Sequence, residues 1–203
     1  MAATTLAEVV RLIGHSDDRR LVGIAGEPGA GKSTIAALVV TALGPTAALL
    51  PMDGYHLSQA RLRELGRRDR MGAADTFDVD GFVEVLHSLR DPSGTTFAAD
   101  FDRTVEEPVD AALAYPPELR TIVVEGNYLL HDDGGWERVL PLLDVSFFVD
   151  VEPGIRRSRL IERHVRFGKT PEAARAWALG PDEANARVVR ASAHRADHVI
   201  RLD

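Results

Sequence analysis

The segment from Gly26 to Ser33 reads GEPGAGKS and constrains this chain more than any other feature. It matches the pattern G-x-x-x-x-G-K-[S/T] in full, and only about 0.001 chance matches are expected for a chain of this length and composition. Glycines let successive backbone N–H groups turn toward phosphate oxygens, and the start of a helix presents its positive dipole end to the same anion. The segment therefore predicts a phosphate-binding loop between a strand and a helix.

The residue types in this loop predict a task for each position. Lys32 is expected to reach the β- and γ-phosphates of a nucleoside triphosphate, and the Ser33 hydroxyl is expected to ligate Mg²⁺. The loop as a whole is then a binding site for ATP, formed by Gly26, Glu27, Pro28, Gly29, Ala30, Gly31, Lys32, Ser33 and Thr34. The alternative is a glycine-rich turn that binds no ligand.

Short apolar runs alternate with helical periodicities along the chain, which predicts an α/β fold with a mainly parallel sheet. The predicted strands cover 20–25, 46–52, 95–101, 121–124, 145–151 and 198–202. The predicted helices cover 5–13, 32–43, 57–67, 80–90, 153–166, 171–178 and 182–193, with Asp80 as an N-cap. Loops are predicted at 91–94 and 108–119, where prolines and a glycine interrupt these patterns. The length favours one domain, 1–203.

Composition and charge exclude several classes of function. The chain has 24 basic and 31 acidic residues, and a net charge of −7 disfavours nonspecific binding to nucleic acid or anionic membranes. Only Lys32 and Lys169 are lysines, and the other basic residues are arginine. There is no cysteine, so thiolate metal sites and cysteine nucleophiles are excluded. No signal peptide or apolar run of membrane-spanning length is present, which predicts a cytoplasmic protein.

Acidic residues follow three of the predicted strands, where the sites of parallel α/β sheets lie. Asp53 could accept a proton from an acceptor hydroxyl, although an Asx turn before Gly54 would also explain it. Glu125 stands where a carboxylate holds Mg²⁺, and the alternative is a capping role. We expect Asp150 to cap the helix that follows Pro153 rather than to act in catalysis.

Four arginines recur at helical spacing in the segment that follows Pro153. Arg156, Arg159, Arg163 and Arg166 fall at i, i+3, i+7 and i+10, so one helix face carries four guanidinium groups. Such a charge stabilises a developing phosphoryl transition state when water is excluded. The alternative is a solvated basic face paired with nearby glutamates, which is the favoured interpretation for Arg156 and Arg166.

With these motifs in hand, the chain resembles the uridine kinase, pantothenate kinase and phosphoribulokinase group of P-loop kinases. The resemblance covers about residues 20–167 and is carried by Gly26–Ser33, MDGYH at 52–56, VEG at 124–126 and the arginine-rich helix. It implies a three-layer P-loop NTPase fold with a mainly parallel five-stranded sheet and a small helical lid at about 156–182. It further implies that Arg159 and Arg163 contact the ATP phosphates as the lid closes.

The resemblance also implies a set of acceptor-binding residues. Asp53 occupies the position of the family's base, and ADTFD at 74–78 stands where the family binds the acceptor. FDR at 101–103 matches a further family segment, but the proline that usually precedes it is absent here. The implied acceptor-binding residues are Asp53, Tyr55, His56, Asp75, Phe77, Arg103 and Glu125, and the implied catalytic residues are Asp53, Lys32 and Arg163.

The resulting prediction is a kinase that transfers the γ-phosphate of Mg-ATP to a hydroxyl of a sugar or polyol, a nucleoside, or a pantothenate-like compound. One alternative is a nucleoside monophosphate or sugar-phosphate kinase, for which 61–70 would supply arginines to an acceptor phosphate: Arg61, Arg63, Arg67, Arg68 and Arg70. A nucleotide-dependent switch is less favoured, because neither Asn127 nor Asn185 begins an N-K-x-D segment. The expected partner is a small-molecule acceptor, without nucleic acid or membrane, and a homodimer is a further possibility.

The remaining aromatic residues are expected to have structural roles. Phe82, Phe147 and Phe148 are predicted to lie in the core, and partial burial on helices is the favoured interpretation for Trp136 and Trp177.

Overall fold

The computed structural model describes residues 4–14, 16, 18–91 and 93–201, and its regular elements alternate between strands and helices. The strands are β1 (Arg20–Gly26), β2 (Ala47–Pro51), β3 (Thr96–Asp102), β4 (Glu107–Tyr115), β5 (Thr121–Gly126), β6 (Val145–Asp150) and β7 (His198–Arg201). The helices are α1 (Leu6–Ile13), α2 (Lys32–Leu43), α3 (Gln59–Glu64), α4 (Val79–Arg90), α5 (Pro153–Arg166), α6 (Pro171–Leu179) and α7 (Pro181–Ala191).

Five strands form a parallel sheet in the order β2-β5-β1-β6-β7, which confirms the predicted sheet. One apolar cluster joins one face of the sheet to α4 through Phe82 and Leu86. A second cluster joins the other face to α1 and α2 through Ile13 and Val39. The fold therefore has three layers, and the central strands β1, β5 and β6 are apolar because both faces are covered. Phe147 and Phe148 lie in the two clusters, as predicted.

Helix α2 has the predicted bounds of 32–43, and the end residues of most other elements shift by one or two positions. Helix α3 is shorter than the predicted 57–67. The last residue of the predicted strand 198–202 lies outside the described residues, as does the proline of the 91–94 loop. No helix among the described residues is long and apolar enough to cross a membrane.

The prediction of a loop at 108–119 was wrong. Strand β4 occupies most of that segment and pairs antiparallel with β3, in a two-stranded sheet separate from the main one. The sequence signal was weak because β4 begins with Glu-Pro and exposes most of its length, so it lacks a clear alternation of apolar and polar residues. Its anchor is Tyr115, whose hydroxyl donates to the carbonyl oxygen of Leu49 at 2.6 Å. The hairpin thereby lies against the end of β2.

Two predicted helix caps were also wrong. Asp78, not Asp80, caps α4 by accepting from the Gly81 amide at 3.0 Å. Asp150 ends β6 and does not cap α5, because Glu152 accepts from the Ile155 amide at 2.9 Å. An N-cap side chain must directly precede the first helical residue to reach the free amides of the first turn. In both cases the predicted N-cap lies two positions away from the observed one.

Candidate active site

The phosphate-binding loop connects the end of β1 to the start of α2, as its motif predicts. Gly29 and Gly31 have φ values of 81° and 94°, a left-handed conformation that favours glycine. A Cβ atom on Gly29 would lie 2.8 Å from the carbonyl oxygen of Arg156. Glycine at these positions therefore lets the loop curl beneath α5 with its amides free of side chains.

Lys32 is buried at the centre of the site. Its Nζ donates to the Glu27 carbonyl oxygen at 3.1 Å and to Asn127 Oδ1 at 2.6 Å. Burial lowers the pKa of Lys32 to about 8, although the carboxylates of Glu125 and Asp53 oppose the shift. A phosphate at the loop would favour the charged ammonium by the same Coulomb attraction.

Ser33 and Glu125 face each other across the loop. The Ser33 hydroxyl donates to Glu125 Oε1 at 3.0 Å, because β5 ends beside β1 and brings this carboxylate to the first turn of α2. Burial, with the nearby charge of Asp53, raises the pKa of Glu125. A hydroxyl and a carboxylate fit Mg²⁺, which binds few protein ligands and keeps several waters.

Asp53 lies in a 3₁₀ turn, Met52–Tyr55, that directly follows β2. Arg103 of the β3–β4 hairpin donates from Nη2 to Asp53 Oδ2 at 2.6 Å. Burial opposes ionisation, but His56, Arg103 and Lys32 outweigh it and lower the pKa of Asp53 below its ordinary value. The carboxylate is therefore ionised and can accept a hydrogen bond from a hydroxyl.

His56 is held beside Asp53 by both its backbone and its ring. Its amide donates to the Asp53 carbonyl oxygen at 3.1 Å, and ring atom Nδ1 lies 2.8 Å from the same oxygen. The ring centroid is 4.0 Å from that of Phe77 and 4.7 Å from that of Phe101. Burial lowers the pKa of His56.

A cavity of about 180 Å³ collects part of the predicted site. The predicted residues that line it are Pro28, Lys32, Ser33, Asp53, His56, Arg103, Glu125 and Arg163. A second cavity, of about 420 Å³, opens over the loop and is lined by Gly29, Gly31, Thr34, Arg159, Arg163 and Arg166 among others. Four residues line both cavities: Lys32, Ser33, Arg103 and Arg163. The shared residues mark a point where a group bound in one cavity can reach a group bound in the other.

Several predicted residues lie away from this point. Tyr55 is buried in the core, with its ring 5.1 Å from that of Phe82, and Phe77 supports His56 from behind. Asp75 is exposed and pairs with Arg67 and Arg70. None of the three lines either cavity.

Two residues near the loop have structural contacts. Glu27 directs its carboxylate toward Arg156, at 2.9 Å, and toward Arg190, at 2.5 Å. Arg156 is completely buried, so the prediction of a solvated basic face was wrong for this residue, which pairs with Glu27 and Glu183 instead.

Residues that sequence reasoning missed complete the first cavity. Asn127 lies two residues after Glu125, and the rule that sites follow strand ends could have found it. His164, Lys169, Trp177, Asp182 and Asn185 also line the cavity, from α5, α6, α7 and the turn between α5 and α6. No sequence motif marks these five residues. Trp177 is half-buried on α6, as predicted, but the prediction of partial burial was wrong for Trp136, which is completely buried in a 3₁₀ turn and donates from Nε1 to the Ala74 carbonyl oxygen at 3.0 Å.

Known proteins resemble the chain over most of its length, although no protein-family model matches it. An ATP-dependent kinase-like protein from Aspergillus versicolor is 39% identical over 133 residues, which are 62% of this chain and 77% of that protein. A candidate uridine kinase from Schizosaccharomyces pombe is 33% identical over 172 residues, 78% of this chain and 72% of that protein. The structure of a candidate fructose transport system kinase from a Silicibacter species superposes with a TM-score of 0.87 at 36% identity, covering 97% of this chain and 98% of that one.

Proposed function

This chain belongs to the uridine kinase, pantothenate kinase and phosphoribulokinase group of P-loop kinases and is a phosphotransferase with a hydroxyl acceptor; from that premise we propose that it transfers the γ-phosphate of Mg-ATP to a sugar or polyol. A nucleoside ranks second as the acceptor and a pantothenate-like compound third. The observation that carries the proposal is the meeting of the two cavities at Lys32, Ser33, Arg103 and Arg163, with the Asp53 carboxylate beside Arg103.

In the proposed reaction the triphosphate binds the loop amides between residues 26 and 34. Lys32, Arg159 and Arg163 neutralise its negative charge as the transition state forms. Ser33 and Glu125 would hold Mg²⁺, which when bound supplies further positive charge to the β- and γ-phosphate oxygens. The chain therefore gathers its cations on one side of the transferred group.

On the other side, Asp53 orients the acceptor hydroxyl and accepts its proton. A bond forms between the acceptor oxygen and the γ-phosphorus while the bond from that phosphorus to the β,γ-bridging oxygen breaks. ADP leaves with that electron pair, and no covalent enzyme intermediate is required. Arg103 acts as a positioning residue, because it holds the Asp53 carboxylate in place at 2.6 Å.

The proposal includes a lid at about residues 156–182 within a single kinase domain, 1–203. Arg159 and Arg163 lie on the exposed side of α5, where they face the cavity over the loop. Closure of this segment over the triphosphate would exclude water and strengthen both charges.

A nucleoside monophosphate or sugar-phosphate kinase is the second candidate. Of the arginines between 61 and 70, Arg61 pairs with Glu64, while Arg67 and Arg70 pair with Asp75. Only Arg68 lines the cavity, and it already pairs with Glu106 at 2.8 Å. These pairings indicate that Arg61, Arg67 and Arg70 form a solvated surface, and they leave Arg68 as the support for the second candidate.

The test measures ADP release from Mg-ATP across sugars, polyols, nucleosides, nucleotides and vitamins. We expect Asp53→Asn to lower turnover by about 10² to 10⁴-fold, because the amide cannot take the hydroxyl proton, while ATP still binds. Asp102→Asn is the matched control: Asp102 accepts from Thr104 in the same hairpin and lines neither cavity. Turnover by Asp53→Asn within twofold of the unaltered protein would contradict the assignment. ATP binding without release in response to any acceptor would contradict the proposed function itself.

A further inference from the structure

Both lysines of this chain line the same cavity. The chain has 24 Lys and Arg residues, and every one except Lys32 and Lys169 is an arginine. An ammonium is a compact point charge on a flexible stem, whereas a guanidinium is a broad planar fork, so the two are not interchangeable within a binding site. In a chain that otherwise uses arginine, the location of Lys169 points to a ligand group that this side chain contacts.

Lys169 lies in the turn between α5 and α6, with its position set by backbone and ring contacts. Its amide donates to the His164 carbonyl oxygen at 3.0 Å, and its Nζ lies 4.9 Å from the centroid of the Trp177 ring. A ring face attracts a cation but does not neutralise its charge. The ammonium therefore keeps its capacity to bind an anion.

The other cations around this cavity already have partners or a different task. Arg68 pairs with Glu106 at 2.8 Å, and Arg103 pairs with Asp53 at 2.6 Å. Lys32 belongs to the phosphate loop, and Arg163 also faces the cavity above that loop. Lys169 has no carboxylate partner within 4.0 Å among residues 4–14, 16, 18–91 and 93–201.

The acidic residues on the lid side of the cavity do not offset this cation. Asp182 Oδ2 lies 2.7 Å from His164 Nε2, and Glu106 pairs with Arg68, so both carboxylates contact side chains other than Lys169. Asp53 and Glu125 lie on the opposite side, next to the phosphate loop. The cavity thus has, near α6, a cation that no carboxylate of the described residues pairs with.

A second observation points to a ligand in the same place. Asn185 of α7 is only 8% exposed and lines the cavity, yet its side-chain amide has no hydrogen-bond partner in the described part of the chain. The amide atoms are open to the cavity rather than sealed in the core, so their hydrogen-bond partners are whatever fills the cavity. The amide can donate to an anion or to a hydroxyl that enters the cavity.

We infer that the phosphate acceptor is a hydroxylated organic anion whose charged group, a carboxylate or a phosphate ester, binds Lys169 and Asn185. This inference rests on the proposed kinase function and narrows its sugar or polyol acceptor to one that also carries such an anionic group. Lys169 attracts the anionic end of such a molecule, while the Asp53 carboxylate accepts from its hydroxyl. The acceptor is thereby oriented with a hydroxyl at Asp53 and its charge beneath the lid.

The test compares acceptors matched in carbon number: sugar acids, sugar phosphates, and neutral sugars and polyols. The first two arms separate carboxylate recognition from phosphate recognition. We expect an anionic acceptor to have the highest kcat/KM. Its KM should rise with added NaCl, because salt screens the attraction between Lys169 and the anion. The KM of a neutral acceptor should not respond to salt in this way.

Three variants locate the charge that is responsible. Lys169→Met and Asn185→Asp should each lower kcat/KM for the anionic acceptor by about 10- to 100-fold, mainly through KM, as expected for loss of a charge-assisted hydrogen bond. Lys169→Gln, which keeps a hydrogen-bond donor without the charge, should lower kcat/KM for the anionic acceptor nearly as much. Arg175→Met is the matched control, because it removes one positive charge from the exposed side of α6 and lines no cavity described above. It should change kcat/KM by less than twofold.

The outcomes distinguish a failure of the anionic-acceptor inference from a failure of the proposed kinase function. If a neutral acceptor is preferred and Lys169→Met and Lys169→Gln phosphorylate it as well as the unaltered protein does, the inference is overturned and the kinase remains. If ATP binds but no acceptor stimulates ADP release, the proposed function fails and the inference fails with it. Thermal melting of every variant identifies any loss that comes from unfolding.

Discussion

At the scale of single residues, two neighbouring carboxylates have opposite pKa shifts. Burial and the charge of Asp53 raise the pKa of Glu125, whereas His56, Arg103 and Lys32 together lower the pKa of Asp53. Pairs of titratable groups with diverging pKa values are typical of sites that assign each group a different task. In the proposed reaction Asp53 would keep its charge to bind the acceptor hydroxyl, and a cation bound beside Ser33 would neutralise Glu125.

Asn127 is expected to position Lys32, since its Oδ1 accepts from the lysine Nζ at 2.6 Å. Asn127→Ala removes that acceptor and leaves the ammonium held only by the Glu27 carbonyl oxygen. We expect the Kd for ATP to rise about tenfold, the effect of one hydrogen bond to a charged group. Calorimetric titration measures the Kd. Asn127→Asp, which keeps an oxygen acceptor, should raise the Kd by less than Asn127→Ala. An unchanged Kd in Asn127→Ala would show that Lys32 does not need this support.

At the scale of elements, a buried ion-pair network joins the phosphate loop to α5 and α7. Arg156 is completely buried, with Nε 2.9 Å from Glu27 Oε2 and a further ion pair to Glu183. Its Nη1 also donates to the Pro28 carbonyl oxygen at 3.3 Å. The guanidinium therefore supports the loop from behind and fixes where the first turns of α5 and α7 lie.

We expect Arg156→Met to lower the free energy of unfolding by about 3 kcal/mol, because two buried carboxylates lose a shared partner. Urea unfolding with an unchanged m-value measures the difference. Arg157→Met is the matched control: its side chain is 42% exposed and pairs with the same Glu183 at 3.2 Å. An exposed pair contributes little, so we expect a loss below about 1 kcal/mol. Equal losses in the two variants would refute a special role for the buried arginine.

At the scale of the whole molecule, all three tyrosines are in the interior. Burial raises the pKa of Tyr55 to about 12 and raises those of Tyr115 and Tyr128 further. Tyr115 donates to the Leu49 carbonyl oxygen and Tyr128 to that of Gly72, so each phenol needs its proton in the folded state. The protonated phenols join the hairpin, the sheet and the loop before α4.

The raised pKa values of the three tyrosines predict how the folded protein loses stability at alkaline pH. Folding favours the protonated phenols, so their contribution is complete below the unfolded pKa of about 10 and is lost as pH rises above it. We expect the phenolate absorbance to appear together with loss of the circular dichroism signal, well above pH 10. The urea-unfolded chain serves as the control and should titrate near 10. A phenolate transition near pH 10 in protein that is still folded would contradict the burial of these side chains.

The sequence alone accounted for the parallel sheet, the phosphate loop and most helix bounds, because their signals are local. The P-loop motif and the apolar periodicity each lie within a dozen neighbouring residues. The signals failed where a segment's conformation depends on what covers it. Strand β4 forms because Tyr115 is anchored beneath β2, and its exposed residues give no alternation to detect.

The residues of the candidate site also divide into those with a local sequence signal and those placed by contacts between distant segments. Lys32 and Ser33 are found from the loop motif, and Asp53 and Glu125 are found because the ends of parallel strands converge at one edge of the sheet. Tyr55 and Asp75 stand in the expected motifs, but the fold directs one into the core and the other to the surface. Lys169 and Asn185 belong to no motif, and only the packing of α5, α6 and α7 beside the sheet brings them to the cavity. Local sequence thus determines the phosphate-loop edge of this cavity, while the side formed by α5, α6 and α7 is decided by contacts between distant segments.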